Sequence, residues 1–252
     1  MILLSPRQRD TLRAWFLPEQ PGPVIGNHVI NTGNGACFGD RWPDPRMVLA
    51  GTASNYTLLG DAQRLGPEDL RPHIRGFVNT SEELVPFLMA DFPDAQPWQR
   101  IILAQMAEPE SPQPQTFELR RLTNADAHHL WGLSPDVAWI CRTWGGPSGL
   151  AMSGYAWGAF VEGRLASIAC TFFLGQTYED IGVVTEPEFQ GQGLSTASTQ
   201  ALCDDVRARG NLPSWTTSLD NAASLRVAQK TGFVEYGRDM VFAVGVPIPE
   251  PD

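Results

Sequence analysis

Residues 178–209 constrain this chain more than any other stretch. A β-prone run, Tyr178-Glu-Asp-Ile-Gly-Val-Val-Thr185, passes through Pro187 into Gln190-Gly191-Gln192-Gly193-Leu194-Ser195 and then directly into an amphipathic helix that ends near Arg209. Glycines at such a turn remove side chains, so backbone N–H groups can close around an anion. The helix that follows points its first N–H groups and its positive dipole end at the same spot. Ser195 and Thr196 add hydroxyl donors at the helix start. The unit reads as a seat for a pyrophosphate.

Motif comparison narrows which pyrophosphate. The lysine that ends a nucleotide-triphosphate loop is absent, and the three-glycine dinucleotide pattern is incomplete, with Leu194 and Ser195 where the third glycine is approached. The spacing Gln/Arg-x-x-Gly-x-Gly/Ala does match, as Gln190, Gly193 and Ser195. Alone, this loop fits an ordinary strand–turn–helix equally well. Downstream, Leu212-Pro-Ser-Trp215-Thr-Thr reads as a strand, and Asp220-Asn221-Ala-Ala-Ser224 leads on to Lys230-Thr-Gly232-Phe233. Loop and ending together, in this order and spacing, resemble the coenzyme A loop and the Asn-x-x-Ala/Ser…Lys-x-Gly-Phe block of the GNAT superfamily of N-acetyltransferases. More narrowly, Thr185-x-Pro187-x-Phe189-Gln190-Gly191-x-Gly193-Leu194 followed by Pro213-x-Trp215 looks like the zwittermicin-resistance-type branch. The resemblance covers roughly the last half of the chain.

Composition narrows the partners. The net charge of −10, from 28 acidic against 18 basic residues with no basic run, argues against nucleic acid and tilts toward a cationic substrate. Cys37, Cys141, Cys170 and Cys203 form no Cys-x-x-Cys pair and have no metal-spaced histidines, so they read as reduced, buried thiols and no metal is expected. The opening Met1-Ile-Leu-Leu4 is too short for a signal segment, and no apolar run is long enough to span a membrane. A cytoplasmic location is the expectation.

Read in order, Ser5-Pro6 starts a helix that Pro18 stops, and a loop runs from Pro18 to Gly35. Residues 36–38 form a short strand. Residues 46–50 and 56–59 form a hairpin or meander joined by residues 51–55, and residues 76–79 are another strand. A helix from Thr80 or Ser81 to Asp91 and a strand from Trp98 to Met106 close the first half. Residues 108–115, with three prolines and no apolar side chain, read as a linker. The expected organisation is therefore an α+β lobe over 1–107, a linker over 108–115, a catalytic domain over 116–246 and a flexible tail over 247–252.

Beyond the linker, strand and helix signals follow in the order β–α–α–β–β–β–α–β–α–β, with helices over 123–132 and 136–144 and a hairpin turning at Glu162-Gly163. The fold class is α/β, an α+β mixed sheet, and that order matches the GNAT fold. The first half offers a faint parallel to it, a degenerate copy of the same fold; a separate small α+β lobe is the alternative.

The resemblance implies acetyl-CoA (coenzyme A) as cofactor and direct transfer of an acetyl group to a primary amine of a small molecule or peptide. It implies that the backbone of Val183, Val184 and Thr185 pairs with the pantetheine arm. It places the pyrophosphate on Gln190, Gly191, Gln192, Gly193, Leu194 and Ser195, with Asn221 and Ser224 lower on the cofactor. Asn221 fits a helix cap, and Ser224 a packing role, as well as a cofactor contact. Glu179 lies four residues before Val183, on the same strand face, where some relatives carry a catalytic glutamate. An exposed carboxylate at the start of a strand explains it equally well; Asp180 faces the other way. Ala228 stands where many relatives have a tyrosine acid, so either Tyr178 or water is the substitute donor or the thiolate leaves unassisted. Trp131, Trp139, Trp144 and Trp157 are expected toward the substrate side, by default as packing residues. A non-catalytic acyl-CoA-sensing module is the rival reading. Sheet-edge homodimers are common in the superfamily.

Overall fold

The structure is a computed structural model and describes residues 1–61, 70–110 and 116–250. Parts of the expected linker and tail, residues 111–115 and 251–252, lie outside the described residues. Before the linker run β1 (Ile2–Leu3), β2 (Ala36–Gly39), β3 (Met47–Thr52), β4 (Asn55–Gly60), β5 (Gly76–Thr80) and β6 (Gln96–Gln105). After it run β7 (Glu118–Arg121), β8 (Ala156–Val161), β9 (Arg164–Leu174), β10 (Tyr178–Thr185), β11 (Leu212–Ser218) and β12 (Phe233–Val244). The helices are α1 (Pro6–Asp10), α2 (Ile25–Thr32), α3 (Val85–Asp91), α4 (Ala127–Trp131), α5 (Pro147–Ser153), α6 (Leu194–Ala208) and α7 (Ala222–Lys230). Tight 3-10 turns cover Thr11–Phe16 and Ala138–Trp144.

All the strands join one mixed sheet, in the order β1-β2-β3-β4-β5-β12-β6-β11-β10-β9-β8-β7. The arrangement mirrors itself about its centre. β4 runs parallel to β5, as β10 does to β11. β5 then takes β12 as its antiparallel neighbour, and β11 takes β6. β6 and β12 pair antiparallel between them. Each half therefore lends its last strand to the other, and the strand at Trp98–Met106, read as closing the first lobe, lies inside the sheet of the second.

The sequence accounts for this. In β6, Ile101 and Leu103 alternate with Ile102, so the strand has apolar side chains for both faces, as a central strand needs. Ile101 and Leu103 join Ile181, Trp215 and Phe233 beneath Leu202, Cys203 and Val206 of α6. On the opposite face Ile168, Cys170 and Val184 pack against Leu122, Ile140, Trp144 and Leu150. In the first half, Met47, Leu49, Leu58 and Val78 meet Leu84 and Leu88, together with Phe242 and Val244 from β12.

Three local expectations are corrected. The stretch read as loop from Pro18 to Gly35 contains α2, whose residues Ile25, Val29 and Ile30 are buried. Its β-branched and Gly/Asn-rich sequence has little intrinsic helicity, and burial between the halves supplies the difference. The connection read over residues 51–55 is a tight turn at Ala53-Ser54, both at positive φ (48° and 61°), and the flanking residues extend β3 and β4. The helix α5 was not anticipated, although Pro147 after Gly146 is a start signal, with proline at the first helical position.

Candidate active site

The loop after β10 is built as a cradle. Gly191 and Gly193 adopt φ of 77° and 78°, a left-handed conformation that glycine takes without strain. Among the described residues, a Cβ on either would meet nothing within 4 Å, so both face open space. Gly193 is the N-cap of α6, and no side chain caps it among the described residues. The first N–H groups of a helix have no acceptor within it, so those of Leu194, Ser195 and Thr196 are available to an anion. Residues 190–193 are exposed, whereas Leu194 is buried and anchors the helix. Ser198 donates to the Leu194 carbonyl at 2.8 Å, and the Ser167 hydroxyl donates to the Val184 carbonyl at 2.8 Å, tying the helix start and the strand into the core. Glu186 accepts from the Ser134 amide at 2.9 Å and holds the loop base.

The strands part beside this cradle. β10 pairs with β11 from Tyr178 to Ile181 and no further. Over residues 182–185 β10 pairs with β9 alone, and its other edge, carrying Val183, Val184 and Thr185, has no strand partner among the described residues. An unpaired strand edge offers a ladder of donors and acceptors to an extended ligand.

The two carboxylates before the gap occupy different environments. Glu179 is 0% exposed and fully engaged. Arg209 donates to both of its oxygens, at 3.1 and 2.7 Å, Asn211 donates at 2.9 Å, and the Thr171 hydroxyl adds a short bond. Arg209 also pairs with Asp205, one turn back on α6. The carboxylate expected to act as base thus pins the end of α6 to the sheet, not an exposed strand start. Asp180 lies on the other face, in register with Ser214. Ser214 and Thr216 donate to its Oδ1 at 3.1 and 3.2 Å. Its Oδ2 takes no donor from the described residues, and the residue as a whole is 4% exposed. Burial pushes the Asp180 carboxyl up to about 7, with the Arg100 guanidinium and the two hydroxyls opposing.

Strand register carries Arg100 of β6 to the same face, opposite Ser218 of β11 and Asp239 of β12. Arg100 and Asp239 form a bidentate pair at 3.1 and 2.6 Å, and Asn79 donates to Asp239 at 3.2 Å. No local pattern marks this cluster, because its members are brought together only by the exchanged strands. The supposed loop before α2 also belongs here. The Glu19 carboxylate accepts from the Gln176, Thr177 and Tyr178 amides, fixing the turn into β10. His28 accepts from the Leu174 amide at Nδ1 (2.9 Å) and donates from Nε2 to the Thr143 carbonyl (2.9 Å). Burial lowers the His28 imidazole to about 4.

The remaining expected residues separate. Tyr178 shares the Asp180 face but sits at the paired end of β10, away from the gap. Asn221 caps α7, its Oδ1 accepting from the Ser224 amide at 2.8 Å. Ala228 is buried among Leu202, Trp215 and Phe233. Trp144 is a core residue whose Nε1 donates to the Thr171 carbonyl at 2.7 Å, and Trp131 is exposed. Trp157 reaches Asp205 on the α6 side, not the expected substrate side, because strand alternation turns it there.

Comparison with known proteins agrees with this layout. The family model described as GNAT acetyltransferase matches residues 22–238. An uncharacterized N-acetyltransferase of Streptomyces virginiae is 38% identical over 214 residues, covering 84% of this chain and 90% of its own. Another, from Bacillus subtilis, is 25% identical over 248 residues, covering 91% and 93%. Among solved structures, a GCN5-related N-acetyltransferase-like protein from Streptococcus suis superposes with a TM-score of 0.72 at 15% identity, over 95% of this chain and all of its own. A tandem GNAT protein from the clavulanic acid biosynthesis pathway superposes at 0.59 and 16% identity, over 98% and 99%. With the family model running from just before α2 to the middle of β12, the chain belongs to the GNAT acetyltransferase family and is an acyltransferase.

Proposed function

We propose that the chain binds acetyl-CoA along the open edge of β10 and transfers the acetyl group to a primary amine of a small molecule or peptide by direct attack. The observation that carries this reading is the meeting of three features at one place: the unpaired edge at residues 182–185, the two left-handed glycines facing open space, and the uncapped start of α6. The chemistry supplied by the bound cofactor is an activated thioester. The chain's part is to hold and orient. Amides of the loop and of Leu194, Ser195 and Thr196 take the pyrophosphate, while backbone groups of Val183, Val184 and Thr185 align the arm and polarise the acetyl carbonyl. In this reading Asn221 acts through its cap, fixing α7, and Ser224 through the same turn.

In the same reading the first half is a degenerate copy of the fold. The units β4–β5–α3–β6 and β10–β11–α7–β12 correspond in order and pairing, which supports it. The connection between β4 and β5, residues 61–75, is much shorter than residues 186–211, which carry the glycine loop and α6; residues 62–69 lie outside the described residues. The cofactor seat is therefore assigned to the second half.

Thermal stabilisation tests the proposal. At about 100 Kd, acetyl-CoA stabilises by roughly 2.7 kcal/mol. Acetyl-CoA and CoA are expected to raise the melting temperature, ATP to leave it unchanged, and Gly193→Arg to abolish the shift. No shift with either coenzyme form would sink the reading.

A further inference from the structure

We propose that Asp180, not Glu179, is the general base of the transfer, and that the Arg100–Asp239 ion pair, delivered by the exchanged strands, is a positioning element of the same site. The inference rests on the acetyltransferase reading above. Glu179 has no capacity to spare: Arg209, Asn211 and Thr171 occupy its oxygens, and it is sealed from solvent. Asp180 is oriented but not consumed, since Ser214 and Thr216 fix Oδ1 and no donor among the described residues reaches Oδ2. It stands one residue before the end of the β10–β11 pairing, at the mouth of the gap. A carboxyl near 7 divides itself between acid and base at neutral pH, which suits proton transfer from an ammonium.

The proton balance is simple. The substrate ammonium gives one proton to the Asp180 carboxylate. The freed amine nitrogen forms its bond to the acetyl carbon as the C–S bond breaks. The second proton on nitrogen leaves with the thiolate, giving amide and thiol, and Asp180 returns its proton to solvent.

The charged groups around Asp180 come from several elements. Arg100 on β6 favours its ionised form, and Asp239 on β12 opposes it. Glu179 points to the opposite face, where Arg209 holds it. Glu19 is engaged by the turn amides, and His28 is neutral between Thr143 and Leu174. Tyr178 shares the face at the paired end. The pair that acts on Asp180 thus includes Arg100, a residue from before the linker. The first half thereby reaches into the reaction chemistry of the second.

Two measurements on the full chain test this. In carbon-13 NMR of aspartate-labelled protein, one carboxyl is expected to titrate near neutral pH and to vanish in Asp180→Asn. In Asp239→Asn, which leaves the Arg100 charge uncompensated beside Asp180, it should move down by about one unit. Thiol release from acetyl-CoA with a panel of primary amines (a polyamine, an aminoglycoside and a peptide with a free N-terminus) gives the second readout. Asp180→Asn should lower kcat by about 100-fold or more while keeping the thermal shift with acetyl-CoA, and the acid limb of the Asp239→Asn profile should move down with the NMR titration. An aspartate titration that stays put in Asp239→Asn, or full turnover in Asp180→Asn, overturns the inference and leaves cofactor binding standing. Wild-type protein that shows no shift with acetyl-CoA, or releases no thiol with any amine, overturns the transferase reading along with it.

Discussion

Replacing His28 by glutamine gives a pH-dependent stability effect whose size follows from the structure. The ring is fully buried, donating from Nε2 to Thr143 and accepting at Nδ1 from Leu174. Protonation would put a proton where the Leu174 amide already points. Burial accordingly lowers the imidazole from 6.5 to about 4. The folded state thus binds fewer protons than the unfolded chain between these values. Its stability is fully present above 6.5 and is lost as pH falls toward 4. The whole gap is worth about 3 kcal/mol, and the part falling between pH 7.5 and 5 about 2 kcal/mol. Asp180 works in the opposite sense, because its folded value is raised: its contribution is present at low pH and is lost as pH rises through about 7. The wild-type pH curve is therefore a sum of opposing slopes, and only the difference between wild type and His28→Gln isolates the histidine. By urea denaturation, the variant should cost about 1–3 kcal/mol at pH 7.5 for its disturbed buried hydrogen bonds. At pH 5 that penalty should shrink by about 2 kcal/mol. An equal penalty at both pH values would refute the argument that burial holds His28 neutral.

Two further substitutions separate structure from catalysis. Glu179→Gln leaves Arg209 with Asp205 as its remaining charge partner and should destabilise the fold by about 3 kcal/mol, the low end for breaking a buried ion pair, measured by the same denaturation. Trp144→Phe removes the donor to the Thr171 carbonyl and should cost about 1–3 kcal/mol in thermal or urea unfolding, with the acetyl-CoA shift unchanged.

What could be read from the sequence was local. The glycine turn, its strand and its helix declared themselves through residue types whose backbone requirements are specific, and the strands from β7 to β12 lie close to the β-prone runs that mark them in the sequence. The turn at Glu162-Gly163 was legible for the same reason. The helix α2 was not, because Val24-Ile25-Gly26-Asn27-His28 is a poor helix former and takes that shape only where Phe173 and the second half cover it. The roles of Glu179 and Asp180 were equally hidden. Alternation predicted that they face opposite ways, and they do, but that Arg209 and Asn211 occupy Glu179 while two hydroxyls hold only one oxygen of Asp180 depends on α6 and on β11. Arg100 and Asp239, 139 residues apart, carry no local pattern at all.

That separation reflects how the sheet is assembled. Phe242 and Val244 at the end of β12 complete the core over β3–β5, while Phe233 at its start belongs to the core under α6. Ile101 and Leu103 of β6 complete that second core, and Gln105, just beyond, is held by Arg207 of α6 at 2.8 Å. Cutting at the linker would leave β5 and β11 each with an open edge and each core short of a strand, so composition marked a break in the chain where the sheet has none. Pairing strands this distant in sequence costs loop-closure entropy before the contacts form, which favours slow, concerted assembly over independent folding of the halves. The same exchange is what sets Arg100 opposite Asp239 on the face that carries Asp180. The charge environment at the strand gap is therefore inseparable from the joining of the two halves: a substitution that loosens the β6–β12 pairing should disturb that environment even where the glycine loop and α6 remain intact.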